Sequence, residues 1–299
     1  MQNKQEHNIK IFYSKDWGDY ELLDTGLGEK LERFGSHSFV RPCEDAVWPK
    51  TLGKADWTKI DGKFWSSKAG AKAGWTFDKK IKAKWQMEHK GIKFLAEPTP
   101  FRHLGFFPEQ ASHWDFIEDT IKNSGRKIKF LNLFGYTGVA SLFALRAGAE
   151  VTHLDASKQT LNWAKENQNL NTDLINAPMR IIEDDVLKFL EREEKRGNKY
   201  DAIIMDPPKF GRGPKGEVWK IEEMLPKLLT QVRKVLSDKP LFVILTSYAI
   251  DSSSLSLGYA LAETMKDFGG RVEQGELCVL EKSNDRLIPL ANTAVWSNK

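Results

Sequence analysis

The feature of this 299-residue sequence that most constrains its fold is a regular alternation of two kinds of segment from residue 127 onward. Short apolar runs bounded by Gly, Pro or Asp predict buried strands: KIKFLNLF, EVTHLD, PMRIIED, KYDAIIMD and PLFVILTSY. Longer segments between them predict helices, among them GVASLFALRAGA and SKQTLNWAKENQNLN. This alternation is typical of a parallel sheet covered on both faces. We therefore predict a doubly wound α/β sheet, closed by an antiparallel edge hairpin from RVEQGELCVLE and IPLANTAVWS.

The first third of the chain has a different pattern. Short β-like pieces are separated by Gly, Pro and Asp, without a long helical period: NIKIFYS, YELLDTG, KIKAKWQMEH and GIKFLAE. We therefore predict a small β-rich region over residues 1–96 and an α/β domain over 97–299, which begins with the proline-broken segment EPTPFRHLGFFPEQ.

Positive charge is concentrated between Lys50 and Lys93. This stretch has twelve lysines, no arginine and four acidic residues, a net charge of +8, whereas the whole chain carries +4. Aromatic residues interleave with these lysines: Trp57, Phe64, Trp65, Trp75, Phe77 and Trp85. Lysines bind phosphates and aromatic rings stack on bases, which favours a nucleic-acid partner. A small β module with an aromatic core and solvated lysines has the same composition, so both interpretations stay open.

Several protein classes are disfavoured by composition. No apolar stretch reaches the roughly 20 residues that a spanning helix needs, and the opening MQNKQEHNIK lacks the apolar segment of a secretory signal. Cys43 and Cys278 are far apart and form no metal-ligand or redox spacing. We therefore expect a cytoplasmic protein without a membrane or metal partner.

Glycines and acids follow the predicted parallel strands. They are Gly135 and Gly138 after the first strand, Asp155 after the second, Asp184 and Asp185 after the third, and Asp206-Pro207-Pro208 after the fourth. Ligands of open α/β sheets bind at this edge, where glycines allow close approach and a carboxylate can accept ribose hydroxyls. Asp184 and Asp185 are placed to meet the exocyclic amine of adenine. The combination predicts a cofactor that contains a nucleoside.

The loop after the first strand discriminates between cofactors. A dinucleotide site favours G-x-G-x-x-G, but Tyr136 stands where the second glycine would be. The loop Phe134-Gly135-Tyr136-Thr137-Gly138 suits instead the zwitterionic tail of S-adenosylmethionine. An NAD-dependent oxidoreductase remains the rival enzyme class, and a catalytically silent RNA-binding protein the rival outside enzymes.

The motifs LNLFGYTG, HLDAS, EDDVLKFL and MDPPKFGRG resemble those of class I S-adenosylmethionine-dependent methyltransferases, specifically the branch with bacterial 23S ribosomal RNA large-subunit methyltransferases of the I and K type. The similarity runs from about Glu88 to the C-terminus. It implies a Rossmann-like methyltransferase sheet, S-adenosylmethionine as cofactor and RNA as partner, with ribosomal RNA favoured. A protein or small-molecule methyltransferase remains an alternative. The first 85 residues do not match the RNA-binding module usual at the start of the I type.

The resemblance also assigns the cofactor site. The segment HLGFFPEQ resembles that branch's lead-in to the pocket, which implies that Phe107 and Gln110 line it, while His113 stands where an arginine is frequent. The candidate cofactor residues are Phe107, Gln110, Phe134, Gly135, Tyr136, Thr137, Gly138, Asp155, Ala156, Ser157, Asp184, Asp185 and Val186.

The loop after the fourth predicted strand is the candidate catalytic segment. Pro207 and Pro208 stiffen it and offer carbonyls without competing N–H donors. Asp206 and the Pro207 carbonyl can accept from an amino group or ring N–H of the target, and Phe210 can stack on a flipped base.

The basic residues after that loop are candidates for nucleic-acid contact. Lys209 and Arg212 stand where phosphate contacts would help, although for each singly plain solvation is the favoured explanation. The segment GRGPKG predicts a flexible, basic lid.

The target atom is the last prediction. Carbon-5 of a pyrimidine is a poor nucleophile, and enzymes that methylate it usually attack the ring first with a cysteine thiolate. By resemblance, the I type has that cysteine after the fifth strand, where this chain has Thr246, Ser247 and Tyr248. We therefore predict direct attack by a nitrogen lone pair of a purine or an exocyclic amine.

Overall fold

The computed structural model describes residues 8–15, 17–66, 72–78, 81, 84–248 and 253–298. The strands are β1 Ile9–Phe12, β2 Tyr20–Gly26, β3 Glu29–Phe34, β4 His37–Pro42, β5 Gly62–Trp65, β6 Gly74–Phe77, β7 Trp85–His89, β8 Ile92–Ala96, β9 Lys129–Leu133, β10 Glu150–Asp155, β11 Met179–Glu183, β12 Ala202–Met205, β13 Phe210–Arg212, β14 Val218–Lys220, β15 Phe242–Ser247, β16 Arg271–Leu280 and β17 Leu287–Ser297. The helices are α1 Lys54–Thr58, α2 Ala111–Lys122, α3 Val139–Arg146, α4 Lys158–Asn169, α5 Val186–Lys195, α6 Ile221–Val235 and α7 Ser254–Met265. Across these ranges, no helix is long and apolar enough to cross a membrane.

An eight-stranded sheet dominates the fold, in the order β1-β16-β17-β15-β12-β9-β10-β11. Strands β15, β12, β9, β10 and β11 pair in parallel, and β17 pairs antiparallel with β15. The chain leaves β9 for β10 on one side and later returns to β12 on the other, so the order reverses at β9. This topology confirms the predicted α/β class, and in sheets of this kind the expected ligand position is at the carboxyl ends of the strands on either side of the reversal, here β9, β10 and β12.

The local sequence explains these elements. Every residue of β12 and β15 is buried, as expected for central strands covered on both faces. Helix α5 begins after Asp185, whose Oδ1 accepts from the Lys188 amide at 3.0 Å. It then buries Val186, Phe189 and Leu190, three positions on one helical face.

The chain divides into two compact units. Of the described residues, a larger unit holds those within 1–12, 112–277 and 289–298, and a smaller unit those within 13–111 and 278–288. The division differs from contiguous domains at 1–96 and 97–299. The N-terminal strand β1 pairs in parallel with β16, Ile9 opposite Gln274, and so belongs to the larger unit. The sheet therefore ends at β1, outside the predicted closing hairpin.

The smaller unit contains a five-stranded sheet in the order β2-β3-β4-β5-β6 and the separate hairpin β7–β8. Neighbouring strands in the sheet pair antiparallel except β4 and β5, which are parallel. Its fully buried large side chains include Phe34, Phe39, Met87 and Phe94. This confirms the predicted β-rich character of the N-terminal region.

A buried ion pair joins the strands of the smaller unit. Arg41 donates from Nε and Nη2 to the two carboxylate oxygens of Glu32, both at 2.7 Å, and the Tyr20 hydroxyl donates to Glu32 at 2.9 Å. Burial alone would raise the pKa of Glu32, but the charges of Arg41 and Lys30 outweigh it and lower that pKa to about 2. The three hydrogen bonds connect β2, β3 and β4.

The aromatic residues of the Lys-rich stretch divide between core and surface. Trp57 and Phe64 are buried, Trp75 and Trp85 are half-buried, and the exposed ones are Trp65 at 50% and Phe77 at 40%. Most of these rings therefore serve the core.

The lysines of this stretch likewise do not decide whether it binds nucleic acid. Lys50 and Lys63 both pair with Glu29, and the remaining described ones project into solvent or are half-buried. Lys68, Lys79, Lys80 and Lys82 lie outside the described residues. Nucleic-acid binding by the stretch stays a prediction.

We predict that Glu32→Gln lowers the free energy of unfolding by about 3–5 kcal/mol, because Arg41 would stay buried without its counter-charge. Urea unfolding near pH 7 measures the loss. Glu29→Gln is the matched control on the same strand, since its half-buried ion pairs should be worth roughly 1 kcal/mol or less.

The pH dependence of this difference has a defined sign. The pKa of Glu32 is lower in the folded protein than its ordinary value of 4.5, so the stabilisation is complete above pH 4.5 and is lost as the pH falls towards 2. Equal losses in Glu32→Gln and Glu29→Gln would contradict the role of the buried pair.

Candidate active site

The loop of residues 134–138 joins β9 to α3 at the point where the strand order reverses. The Gly135 amide donates to the Leu154 carbonyl of β10 at 2.9 Å, which extends the pairing of the two strands into the loop. Three of its residues have left-handed backbone angles: φ is 58° at Phe134, 52° at Tyr136 and 85° at Gly138. Two of these carry side chains, a strained arrangement that clusters at functional sites.

A buried histidine supports this loop from below. A Cβ atom on Gly135 would lie 2.3 Å from Cε1 of His153, so only glycine fits there. The His153 Nε2 lies 3.3 Å from the Tyr136 carbonyl, and Nδ1 lies 3.0 Å from Oγ of Ser141. Asn132 donates from Nδ2 to the same Ser141 oxygen at 3.0 Å.

These contacts assign the direction of each hydrogen bond. Because the Tyr136 carbonyl can only accept, His153 Nε2 carries the imidazole proton, and Nδ1 of the neutral ring accepts from the Ser141 hydroxyl, whose oxygen accepts from Asn132. Burial lowers the pKa of His153, which keeps this neutral form at physiological pH. Sequence reasoning did not identify His153. The one feature of the sequence that could have indicated His153 is that it is a polar residue inside the predicted buried strand EVTHLD.

Asp155 ends β10 and holds the other side of the loop. Its Oδ2 accepts from the Tyr136 amide at 2.9 Å, and its Oδ1 accepts from the Ser157 amide at 2.9 Å and the Thr160 hydroxyl at 3.0 Å. A carboxylate offers about four acceptor positions. Three of these positions on Asp155 are occupied, which leaves one, on Oδ2. The carboxylate can therefore accept one ribose hydroxyl, whereas the sequence suggested that it accepts both.

The side chains beside Asp155 have structural partners. Burial and the charge of Asp155 raise the pKa of Tyr136 to about 12, so its phenol stays protonated. Ser157 is the N-cap of α4, and its hydroxyl accepts from the Thr160 amide at 3.4 Å. The neighbouring Ala156 is half-buried.

The rest of the loop is held from α4. Thr137 is buried, and its carbonyl accepts from the Asn167 amide group at 2.8 Å.

The acids after β11 are both engaged. Asp184 accepts from the Asp185 amide at 2.8 Å and pairs with Arg192, and its own amide donates to the Asp155 carbonyl at 3.2 Å. Asp185 is the N-cap of α5, which Val186 begins. Both acids therefore serve structure, and adenine binding by them stays a prediction.

The loop after β12 adjoins the loop of residues 134–138, the candidate cofactor loop, because Met205 at the end of β12 stands opposite Leu133 at the end of β9. Asp206 is half-buried and Pro207 buried. The Pro208 carbonyl accepts from the Trp219 indole at 2.7 Å, and a contact of Pro208 with a target base stays a prediction.

The following segment, predicted as a flexible lid, contains regular secondary structure. Strands β13 and β14 form a short antiparallel hairpin around it. Its residue Phe210 is 55% exposed, and Lys209 and Arg212 are exposed as well.

The described residues of β15 and its end, 242–248, include no cysteine. Thr246 and Ser247 are buried there, and Thr246 lies 3.4 Å from the Thr293 hydroxyl. Cys43 and Cys278 are buried in the smaller unit. Burial raises the pKa of Cys43, which disfavours its thiolate.

The lead-in segment contributes residues to both compact units. Phe107 and Gln110 belong to the smaller unit, around the turn Pro108–Gln110, and their predicted role in the pocket remains open. His113 lies in the larger unit on α2, fully buried, with Nε2 at 2.9 Å from the Thr293 hydroxyl. Burial lowers its pKa to about 3, as expected for a core histidine.

The larger unit thus has the features of an α/β protein with a nucleoside-cofactor crevice at its switch point. A left-handed loop without a Cβ at Gly135 and a neighbouring carboxylate fit S-adenosylmethionine, and Tyr136 disfavours a dinucleotide. Among the described residues, no group of three or more His, Cys, Asp or Glu is arranged to hold a metal.

Comparison with known proteins assigns the family. A sequence model of S-adenosylmethionine-dependent methyltransferases matches residues 68–251. The crystal structure of such a methyltransferase from Agrobacterium tumefaciens is 42% identical, with a TM-score of 0.92 over 100% of this chain and 98% of that one. This chain belongs to the S-adenosylmethionine-dependent methyltransferase family, and S-adenosylmethionine is its cofactor.

Two curated relatives act on RNA by name. The ribosomal RNA large subunit methyltransferase K/L of Pseudoalteromonas translucida is 34% identical over 153 residues, which are 50% of this chain and 21% of the relative. The ribosomal RNA large subunit methyltransferase I of Aeromonas salmonicida is 35% identical over 126 residues, 42% of this chain and 30% of the relative. The matched segments span less than a third of these relatives.

We predict that Asp155→Asn weakens binding of S-adenosylhomocysteine by about 1.5–3 kcal/mol, because a charged hydrogen bond to ribose is lost and the loop loses its anchor. Calorimetric titration measures the affinity. Thr160→Val is the control: it removes one partner of Asp155 but keeps the carboxylate, and should cost about 1 kcal/mol or less. Unchanged affinity in Asp155→Asn would refute the assignment.

His153→Phe tests the support below the loop. The ring volume is retained, but the Tyr136 carbonyl and the Ser141 hydroxyl lose their partner, which should cost about 1–3 kcal/mol of stability and also weaken S-adenosylhomocysteine binding. Ser141→Ala leaves the contact to Tyr136 in place and should reduce affinity less. Thermal unfolding and calorimetry provide the two values, and full ligand affinity in His153→Phe would contradict the supporting role.

Proposed function

We propose that this protein transfers a methyl group from S-adenosylmethionine to RNA, with ribosomal RNA as the favoured substrate. The observation that carries the proposal is the adjacency of two loops. The cofactor loop after β9 and the Asp206-Pro207-Pro208 loop after β12 leave neighbouring parallel strands at the same edge. The names of the curated relatives support RNA as the acceptor. Such a substrate would place the protein in the cytoplasm.

The proposed roles of the residues follow from the chemistry of methyl transfer. S-adenosylmethionine supplies an electrophilic methyl group, so the protein has to align a lone pair with it and exclude water. Asp206 and the Pro207 carbonyl accept hydrogen bonds from the target nitrogen and so orient its lone pair. Phe210 stacks on the extruded base, a contact worth about 1–3 kcal/mol.

The acceptor atom is proposed to be nitrogen. Methylation at carbon-5 of a pyrimidine requires prior attack by a nucleophile, normally a thiolate. At the end of β15 the chain offers hydroxyls, at Thr246 and Ser247, and both are buried. A purine ring nitrogen or an exocyclic amine attacks with its own lone pair, and the proton that the methylated nitrogen then carries in excess is released to solvent.

The proposed activity is tested by incubating the protein with radiolabelled S-adenosylmethionine and separate ribosomal RNA, transfer RNA, DNA and protein fractions. We expect label in ribosomal RNA and none with Asp155→Asn. Label confined to protein or to small molecules would show that one of these alternative substrates, and not RNA, is the methyl acceptor.

The nitrogen prediction has its own test. RNA substituted with 5-fluorocytidine traps enzymes that attack the pyrimidine ring, and we expect no covalent protein–RNA adduct on a denaturing gel. Nucleoside digestion of the normal product should give a methylated purine or exocyclic amine. An adduct, or 5-methylcytidine in the digest, would overturn the prediction while leaving methyl transfer to RNA in place.

A further inference from the structure

The hairpin of β13 and β14 has two chemically distinct faces. Its register places Phe210 opposite Lys220, Gly211 opposite Trp219 and Arg212 opposite Val218. Side chains alternate along a strand, so one face, here called the inner face, carries Gly211 and the buried Trp219. The outer face carries four exposed residues: Phe210, Arg212, Val218 and Lys220.

The inner face fastens the hairpin to the larger unit. The Trp219 indole donates to the Pro208 carbonyl and packs against the Phe134 ring, with 4.9 Å between ring centroids. The Ile221 amide donates to the Lys209 carbonyl at 3.0 Å. Trp219 therefore contacts both the Asp206-Pro207-Pro208 loop, here called the catalytic loop, and Phe134, the first residue of the loop 134–138.

The turn of the hairpin is closed as well. The Gly213 amide donates to the Glu217 carbonyl at 2.8 Å, and the Glu217 carboxylate accepts from the Lys215 amide at 2.9 Å and pairs with Lys188. Glu217 is the only acid between Lys209 and Lys220, and both its oxygens are engaged with these partners. The cations of the outer face therefore have no acid within the hairpin to neutralise them.

The outer face combines an aromatic ring, an aliphatic side chain and two cations. Arg212 and Lys220 are diagonal neighbours, roughly 7–8 Å apart in such a pair of strands. Lys220 also contacts Glu223 at 2.9 Å, but both side chains are more than half exposed, so this pair is weak and readily exchanged for a phosphate.

We infer that the outer face of the hairpin binds the unpaired RNA strand that carries the target nucleotide, with phosphates at Arg212 and Lys220 and the extruded target base against Phe210 and Val218. The inference rests on the proposed function and specifies the form of the RNA. An exposed ring can stack on a base only where that base has left a helix, so a duplex would leave Phe210 unused. Because Trp219 anchors the hairpin to Pro208, a strand on this face is held at a fixed distance from the catalytic loop.

The test uses the full-length protein and a labelled 20-nucleotide single-stranded RNA of mixed sequence, with the same sequence as a duplex for comparison. Wild type should bind the single strand more tightly. The double variant R212Q/K220Q should lower the dependence of log K on log salt by roughly 1.4, about 0.7 for each lost phosphate contact. Phe210→Leu should weaken single-strand binding about 5- to 150-fold and change duplex binding little.

The matched control is K127Q/K239Q. Both lysines are exposed and precede β9 and β15, at the amino ends of the parallel strands, so they lie at the opposite edge from the hairpin. This variant removes the same charge and should keep the affinity, the salt dependence and the preference for the single strand. Titration of each variant with S-adenosylhomocysteine verifies that the cofactor site is intact.

The outcomes separate the two proposals. If wild type binds and methylates RNA but R212Q/K220Q keeps its affinity and salt dependence, the inference about the hairpin is overturned and the proposed function stands. Equal affinity of wild type for strand and duplex also overturns it. If wild type neither binds nor methylates RNA, the proposed function fails and the inference fails with it.

Discussion

The close packing of Gly135 on the His153 ring is the constraint on which the rest of the larger unit's site depends. The ring occupies the space of a Cβ atom and holds the Tyr136 carbonyl from below, while Asp155 holds the Tyr136 amide from the side. These two contacts keep Tyr136 in a left-handed conformation that it would not adopt by itself. These contacts restrict the backbone of residues 134–138, and a rigid loop lowers the entropy cost of binding a ligand.

The same principle extends to the neighbouring loop. Two prolines restrict its backbone, and Trp219 fixes the Pro208 carbonyl and packs on Phe134. The loop of residues 134–138 and the Asp206-Pro207-Pro208 loop, which we propose to hold the cofactor and the target base, therefore share one aromatic contact on adjacent strands. A reaction that consists mainly of alignment benefits from such rigid positioning, because small displacements of the reacting atoms are costly in rate.

Sequence reasoning predicted the parts of this arrangement that depend on local pattern. Apolar runs such as KIKFLNLF identify central strands, and once the strands are known the position of Asp155 follows, because the carboxyl ends of parallel strands share an edge. The parts it missed depend on distant partners. Strand β1 pairs with β16 some 260 positions along the chain, and nothing local indicates this. The segment GRGPKG predicted a flexible lid because it is rich in turn residues. Trp219, which holds the hairpin to Pro208 and Phe134, follows this segment in the chain, and its contacts depend on the fold.

The central claim is that the loop of residues 134–138 and Asp155 bind the cofactor at the switch point. A crystal structure with S-adenosylhomocysteine tests it most directly. The account predicts the homocysteine part against residues 134–138 and one ribose hydroxyl within hydrogen-bond distance of Asp155 Oδ2, with the Tyr136 amide still bound to that carboxylate. A ligand bound away from this loop, or a ribose that makes no contact with Asp155, would contradict it.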